Sequence, residues 1–190
     1  MQSGIKISKP IRLKSLTHFM RIHSVDVYVH WSVLAIAIFI LLGVLRHPVL
    51  SLVGLAAYLG VMLTHEFGHM IVARRLRCEV FEIELYPIFA ITRFQTPWSH
   101  FDHCLIAWGG VLAQLVIAVP LVAFVVLFGY TPFNVFNEVI AILGFFSLGV
   151  AVFNLLPFRP LDGSIAWGLI PELVKRARMG RKNGPANWRR

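Results

Sequence analysis

Residues 49–69 read Val-Leu-Ser-Leu-Val-Gly-Leu-Ala-Ala-Tyr-Leu-Gly-Val-Met-Leu-Thr-His-Glu-Phe-Gly-His, an apolar run that closes on His65-Glu66-Phe67-Gly68-His69. Before the motif, only Ser51, Tyr58 and Thr64 interrupt the run. On a helix, His65 and His69 are four residues apart and share a face. Two neutral imidazoles on one face can bind one metal ion, and Glu66 beside them is suited to take a proton from a metal-bound water. The alternative is a pair of core histidines beside a buried glutamate. It is the weaker reading, because an unpaired glutamate in hydrocarbon is expensive. A zinc-protease signature on so apolar a helix points to hydrolysis within the plane of a membrane.

The rest of the chain supports a membrane setting. Its 190 residues are 57% apolar, and the mean hydropathy of +0.73 lies outside the usual soluble range. Four apolar blocks are long enough to cross ~30 Å of hydrocarbon as helices. They run over about Val27 to Leu45, Val49 to Val72, Cys104 to Phe128 and Phe133 to Leu156. The expected fold is therefore an α-helical multi-pass membrane protein of about four spans. The segment from Glu79 to Phe94 interrupts it with β-prone residues around Pro87, and reads as a short re-entrant β element between the second and third spans. The first apolar block is long and has no small-residue cleavage site after it, so it is expected to stay as an anchor.

The net charge of +9 raises the question of nucleic acid. The cations lie between apolar blocks and not along one face, which reads as a topology signal with no nucleic-acid partner. Lys6, Lys9, Arg12, Lys14 and Arg21 precede the first block. Arg74, Arg75, Arg77 and Arg93 follow the second, and Arg159 with seven further Lys or Arg residues follows the fourth. Only Arg46 lies on the opposite side. Both termini are thus expected in the cytoplasm, with the motif nearer the cytoplasmic end of its span. The organisation expected is a basic segment 1–26, a core 27–173 and a basic tail 174–190 whose end is partly disordered and touches acidic lipid. Cys78 and Cys104 read as free thiols.

Catalytic zinc usually keeps three protein ligands and one open position. Candidates for the third are Glu82, Glu84, His100, Asp102, His103, Glu138 and Asp162. Glu82 and Glu84 read as solvent-facing charges on strands, His100 and His103 as interfacial anchors, and Glu138 as a residue of the far side. Asp162 follows Asn154-Leu155-Leu156-Pro157-Phe158-Arg159-Pro160-Leu161 and precedes Gly163. Two prolines break the helix there, and a broken helix at membrane depth is tolerated where it lines a cavity. Asp162 is either the N-cap of the next helix or the third ligand. Paired with the zinc motif, the ligand reading is the stronger.

These two motifs, in this order on apolar segments, resemble the site-2 protease family of intramembrane zinc metalloproteases. The stretch 154–163 looks like that family's Asn-Pro-Leu-Asp-Gly region, and the likeness runs from about Trp31 to Leu173. It implies one zinc ion on His65, His69 and Asp162, Glu66 as catalytic base, and Asn154 holding the substrate or the oxyanion. It also implies a bacterial inner-membrane type of location and a single-pass membrane protein as substrate. Trp108 to Gln114 is similar to the family's Ala-Gly-Pro-x-x-Asn element, with Gly110 for the proline and Gln114 one position beyond the asparagine. Phe89-Ala90 stands where the family's β element usually has a glycine pair. No PDZ-like insertion fits between Arg77 and Phe101, and no cystathionine-β-synthase-type domain fits the tail, so a catalytic-core member is expected.

A substrate must unwind to expose an amide to attack, and an extended strand is its natural bound form. Ile83, Leu85, Phe89 and Ile91 of the β element are the expected substrate contacts. Two other classes remain as alternatives, a non-catalytic zinc-binding scaffold and a metal transporter. Spans one and three offer a transporter only His30 and Gln114 as polar groups. A membrane zinc protease that cleaves outside the bilayer is disfavoured by the buried motif.

Overall fold

The computed structural model describes residues 16–22, 24–87 and 89–182. Lys6, Lys9, Arg12, Lys14, Ile88 and the tail from residue 183 lie outside the described residues. Four strands and seven helices follow in the order β1 (Leu16–Ile22), β2 (Val25–His30), α1 (Trp31–Leu41), α2 (Pro48–Arg75), β3 (Val80–Leu85), β4 (Ala90–Phe94), α3 (His100–Phe128), α4 (Asn134–Val139), α5 (Ser147–Asn154), α6 (Gly163–Ala166) and α7 (Leu169–Lys182). A π-helical stretch, Ile140–Phe146, joins α4 to α5 into one continuous helix, Asn134–Asn154.

Among the described residues three helices are long and apolar enough to cross a membrane: α2, α3 and Asn134–Asn154. Their ends follow local chemistry. Pro48 opens α2, where its missing N–H costs nothing, and Arg74 and Arg75 close it at the negative end of the helix dipole. Ser99 caps α3 by accepting from the Asp102 N–H at 3.1 Å, and Gly129, at φ 78°, ends it.

The first expected span differs from its reading. Val27–Leu45 divides into the end of β2, an 11-residue α1 and a 3-10 turn over Leu42–Leu45. At 1.5 Å per residue α1 reaches only ~17 Å, short of the ~30 Å of hydrocarbon. In β2, Val25 and Val27 are buried, and β2 pairs with β1 across a turn at Ser24. The first part of the basic tail is helical, carried by α7 through Lys182.

The expected β element is the β3–β4 hairpin, but it does not stand alone. The sheet has the order β1-β2-β3-β4, with β1/β2 and β3/β4 antiparallel and β2/β3 parallel. β3 is therefore an interior strand and β4 an edge. Ile83 and Leu85 are fully buried, packed with Val25, Val27, Met70 and Ile106 in the core between sheet and helices. That corrects their expected role: an interior strand has both backbone edges paired, so neither residue meets a substrate strand.

Glu82 and Glu84, expected to face solvent, are buried. Arg93 on β4 donates to Glu84 at 2.6 and 3.1 Å, and Tyr86 donates to it at 3.1 Å. The hydrogen bond to Glu84 pushes the guanidinium of Arg93 further above its ordinary value, so it stays charged. A buried carboxylate so paired is tolerated where a bare one is not. The hairpin is anchored to α2 as well, because the Tyr58 hydroxyl donates to the Pro87 carbonyl.

Candidate metal centre

Helices α2 and α3 touch backbone to backbone. A side chain at Gly68 would run into the Gly109 carbonyl, and one at Gly109 into the Gly68 carbonyl. Small residues permit this approach, which brings α3 against the face of α2 that carries His65 and His69. Gly110 continues the gap. A Cβ there would lie 2.5 Å from His69 Nε2 and 2.8 Å from His65 Cε1. The glycine that replaces the expected proline is the space the imidazoles occupy.

Both imidazoles are aimed from behind. His69 Nδ1 lies 2.7 Å from the Ile106 carbonyl, which can only accept, so the Nδ1–H donates. His65 Nδ1 lies 2.9 Å from Gln114 Oε1 and donates likewise. In the neutral imidazoles each Nε2 then keeps its lone pair, the arrangement that outer hydrogen bonds impose on metal-ligating histidines. Gln114 is buried, and its own Nε2 has no partner among the described residues. An orphaned buried donor costs roughly 1–3 kcal/mol. Turning the amide over would relieve it, but would place an N–H against His65 Nδ1 and move the imidazole proton onto Nε2. The observed orientation keeps Nε2 open, and gives Gln114 the polar role its displaced position in the motif left open.

Asp162 meets these nitrogens. Its Oδ2 lies 2.8 Å from His65 Nε2 and 3.3 Å from His69 Nε2, which are 3.0 Å apart. Asp162 stands at the N-cap position of α6, but its side chain makes no capping hydrogen bond and faces the two histidines instead. The break after α5 turns the chain back over the cavity, and α6 docks on α3 through Trp108, whose indole N–H donates to the Ala166 carbonyl at 2.9 Å. With both Nδ1 atoms donating and both rings neutral, three lone-pair-bearing atoms face one another at these distances, and a proton or a metal ion among them would relieve their repulsion. The donor set fits a metal with two imidazoles and one carboxylate, and His65, His69 and Asp162 are the group that could hold one among the described residues.

The three groups open on a cavity of about 240 Å³, lined also by Glu66, Phe89, Ile91, Thr92 and Asn154. Glu66 is 1% exposed. Its Oε2 accepts from the Thr92 hydroxyl at 2.7 Å. Of the expected site residues, the structure brings His65, Glu66, His69, Asn154, Asp162, Phe89 and Ile91 to this one cavity and leaves Ile83 and Leu85 out of it. His103 lines it too, whereas Glu138 lies near Gly54, toward the far end of α2. Thr92 and the Ile106 carbonyl are groups at the site that the sequence did not single out, and Gln114 is one whose role it left open. Gln114 had a partial signal in the resembling motif; Thr92 had none.

No family model matches the chain. It is 30% identical over 135 residues to a Synechocystis protein provisionally named a zinc metalloprotease; the match covers 63% of this chain and 32% of that protein. The chain thus spans about a third of the length of this curated relative. Among solved structures it is similar to a site-2 protease from Methanocaldococcus jannaschii, with a TM-score of 0.65 at 20% identity, covering 90% of this chain and 74% of the other. The fold is that of a site-2 protease.

Proposed function

We propose that this chain is an intramembrane zinc metalloprotease that hydrolyses peptide bonds within or near the transmembrane segments of membrane proteins. The observation that carries this reading is the convergence of His65 Nε2, His69 Nε2 and Asp162 Oδ2 in a cavity that also holds the Glu66 carboxylate. A scaffold needs no base beside its ligands, and Glu66 is what separates a catalytic centre from a structural one.

Zinc held by the three ligands would acidify a water and polarise the scissile carbonyl. Glu66 takes the proton of the attacking water on a carboxylate oxygen and hands it to the departing amine. Asn154, at the end of α5 on the cavity wall, offers its amide to the carbonyl oxygen as negative charge develops there. The substrate lies extended along the free edge of β4, with Phe89 and Ile91 as its side-chain contacts. Their exposure of 47% and 37%, together with their place on the cavity, supports this. The cations on the ends of the spans favour cytoplasmic termini and a site at lipid depth near the cytoplasmic face, where water has a short path. The partner is a single-pass membrane protein.

The test is purified protein reconstituted with zinc and a single-pass substrate, beside Glu66→Gln and Asp162→Ala. Glu66→Gln is expected to keep its zinc and lose roughly 10²–10⁴-fold in rate, and Asp162→Ala to lose the metal. Equal cleavage by the unmodified chain and Glu66→Gln would sink the protease reading.

A further inference from the structure

We propose that Thr92 is a positioning residue for hydrolysis: its hydroxyl fixes one oxygen of the Glu66 carboxylate, so that the other is turned to the reacting water. The inference rests on the protease reading above. It stands on one buried contact, from a residue 26 positions away on another element.

The Thr92 hydroxyl lies 2.7 Å from Glu66 Oε2 and 3.3 Å from the Glu66 backbone carbonyl. A hydroxyl has one proton to give, and the shorter contact to the charged partner takes it. The carboxylate needs such a hold. The terminal torsion of a glutamate is broad and roughly two-fold, so without a partner its oxygens exchange places freely. Among the described residues Oε2 accepts from Thr92, and no hydrogen bond is made to Oε1. The two oxygens are therefore inequivalent before any substrate arrives.

Thr92 is well placed to impose this. It is buried, 8% exposed, and β-branched, with a stiff first torsion. It sits on β4, paired with Ile83 of the interior strand. The sheet, through Arg93 and Glu84 beside it, holds that strand in place. The edge expected to accept substrate and the group that orients the base thus belong to one strand. A peptide laid along β4 is registered against the carboxylate that must act on it. A misplacement of about 1 Å in such a frame can cost 10²-fold in rate.

The experiment uses the full chain in lipid with zinc and a quenched-fluorophore single-pass peptide, comparing Thr92→Val and Thr92→Ser. Thr92→Val keeps the shape and loses the donor. It is expected to bind zinc like the unmodified chain, with KM within about twofold and kcat down roughly 100-fold. Thr92→Ser, which restores the hydroxyl, is expected to recover most of that loss. A kcat unchanged in Thr92→Val, or Val and Ser variants equally impaired, would overturn the proposal. A second readout needs neither metal nor substrate: a double-mutant cycle of Thr92→Val with Glu66→Leu, which removes the acceptor, followed by thermal unfolding of the metal-free protein. Non-additive shifts support the hold, and additive shifts overturn it. Non-additive shifts with no Glu66-dependent cleavage by the unmodified chain would instead bring down the protease reading.

Discussion

Replacing Gly110 by alanine is a test of the metal centre that touches no ligand. The new Cβ would stand 2.5 Å from His69 Nε2, 2.7 Å from His69 Cε1 and 2.8 Å from His65 Cε1. Ordinary contact begins at 3.4 Å, so the worst shortfall is about 0.9 Å. The rings cannot yield cheaply. His69 is held by the Ile106 carbonyl and His65 by Gln114, at 2.7 and 2.9 Å. Nor can α3 withdraw, because its backbone rests on α2 at Gly68 and Gly109. The remaining escape is to swing both Nε2 atoms away from Asp162 by an amount several times the ~0.2 Å tolerance of a metal site. Breaking an outer hydrogen bond alone typically costs 10–100-fold in metal affinity. Gly110→Ala, which disturbs two, is expected to bind zinc at least ~100-fold more weakly, or ~2.7 kcal/mol. The fold should survive, since alanine is the better helix former by ~1 kcal/mol. The assay is zinc affinity by chelator competition, with circular dichroism alongside. Gly149→Ala is the control, on a helix site with nothing within 4 Å, and should bind zinc normally. Gly110→Ala with zinc affinity within threefold of the unmodified chain would refute the argument that this glycine makes room for the ligands.

Two more expectations follow from the same geometry. Gln114→Leu removes the acceptor of the His65 Nδ1–H and should weaken zinc binding by roughly 10–100-fold; an unchanged affinity would show that the amide does not set the ring. Proline at Ala90, whose N–H the ladder register turns away from β3, should lower cleavage while zinc content stays whole, because it removes a donor from the open side of the edge strand; undiminished cleavage would refute the substrate's pairing with β4.

How far the sequence could be read depended on the range of the interactions involved. His65, Glu66 and His69 are set by one helix period, and the three long spans by runs of apolar side chains, so local pattern sufficed. Asp162 was legible because prolines break a helix wherever they occur. The first apolar block failed for the opposite reason: hydropathy alone cannot separate a buried strand that runs straight into an apolar helix. The alternation in Val25-Asp26-Val27-Tyr28-Val29-His30 was the available signal, and it gains meaning only with β3 alongside. Glu82 and Glu84 looked solvent-facing because their alternation is that of a half-exposed strand. They are buried because Arg93, on the returning strand, supplies the countercharge.

The roles within the β element turn on one fact of topology. Read alone, the hairpin has two free edges, and Ile83 and Leu85 are as available to a substrate as Phe89 and Ile91. The N-terminal strands occupy the β3 side through the pairs Val27 with Ile83 and Val29 with Leu85. That pairing sends Ile83 and Leu85 into the core and leaves β4 as the sheet edge beside the cavity. It also fixes which face of β4 meets α2, and so brings Thr92 to Glu66. The N-terminal strands contribute no ligand and no base. Without them the hairpin could pair on either side, and the contact between the edge strand and the Glu66 carboxylate would have no fixed frame.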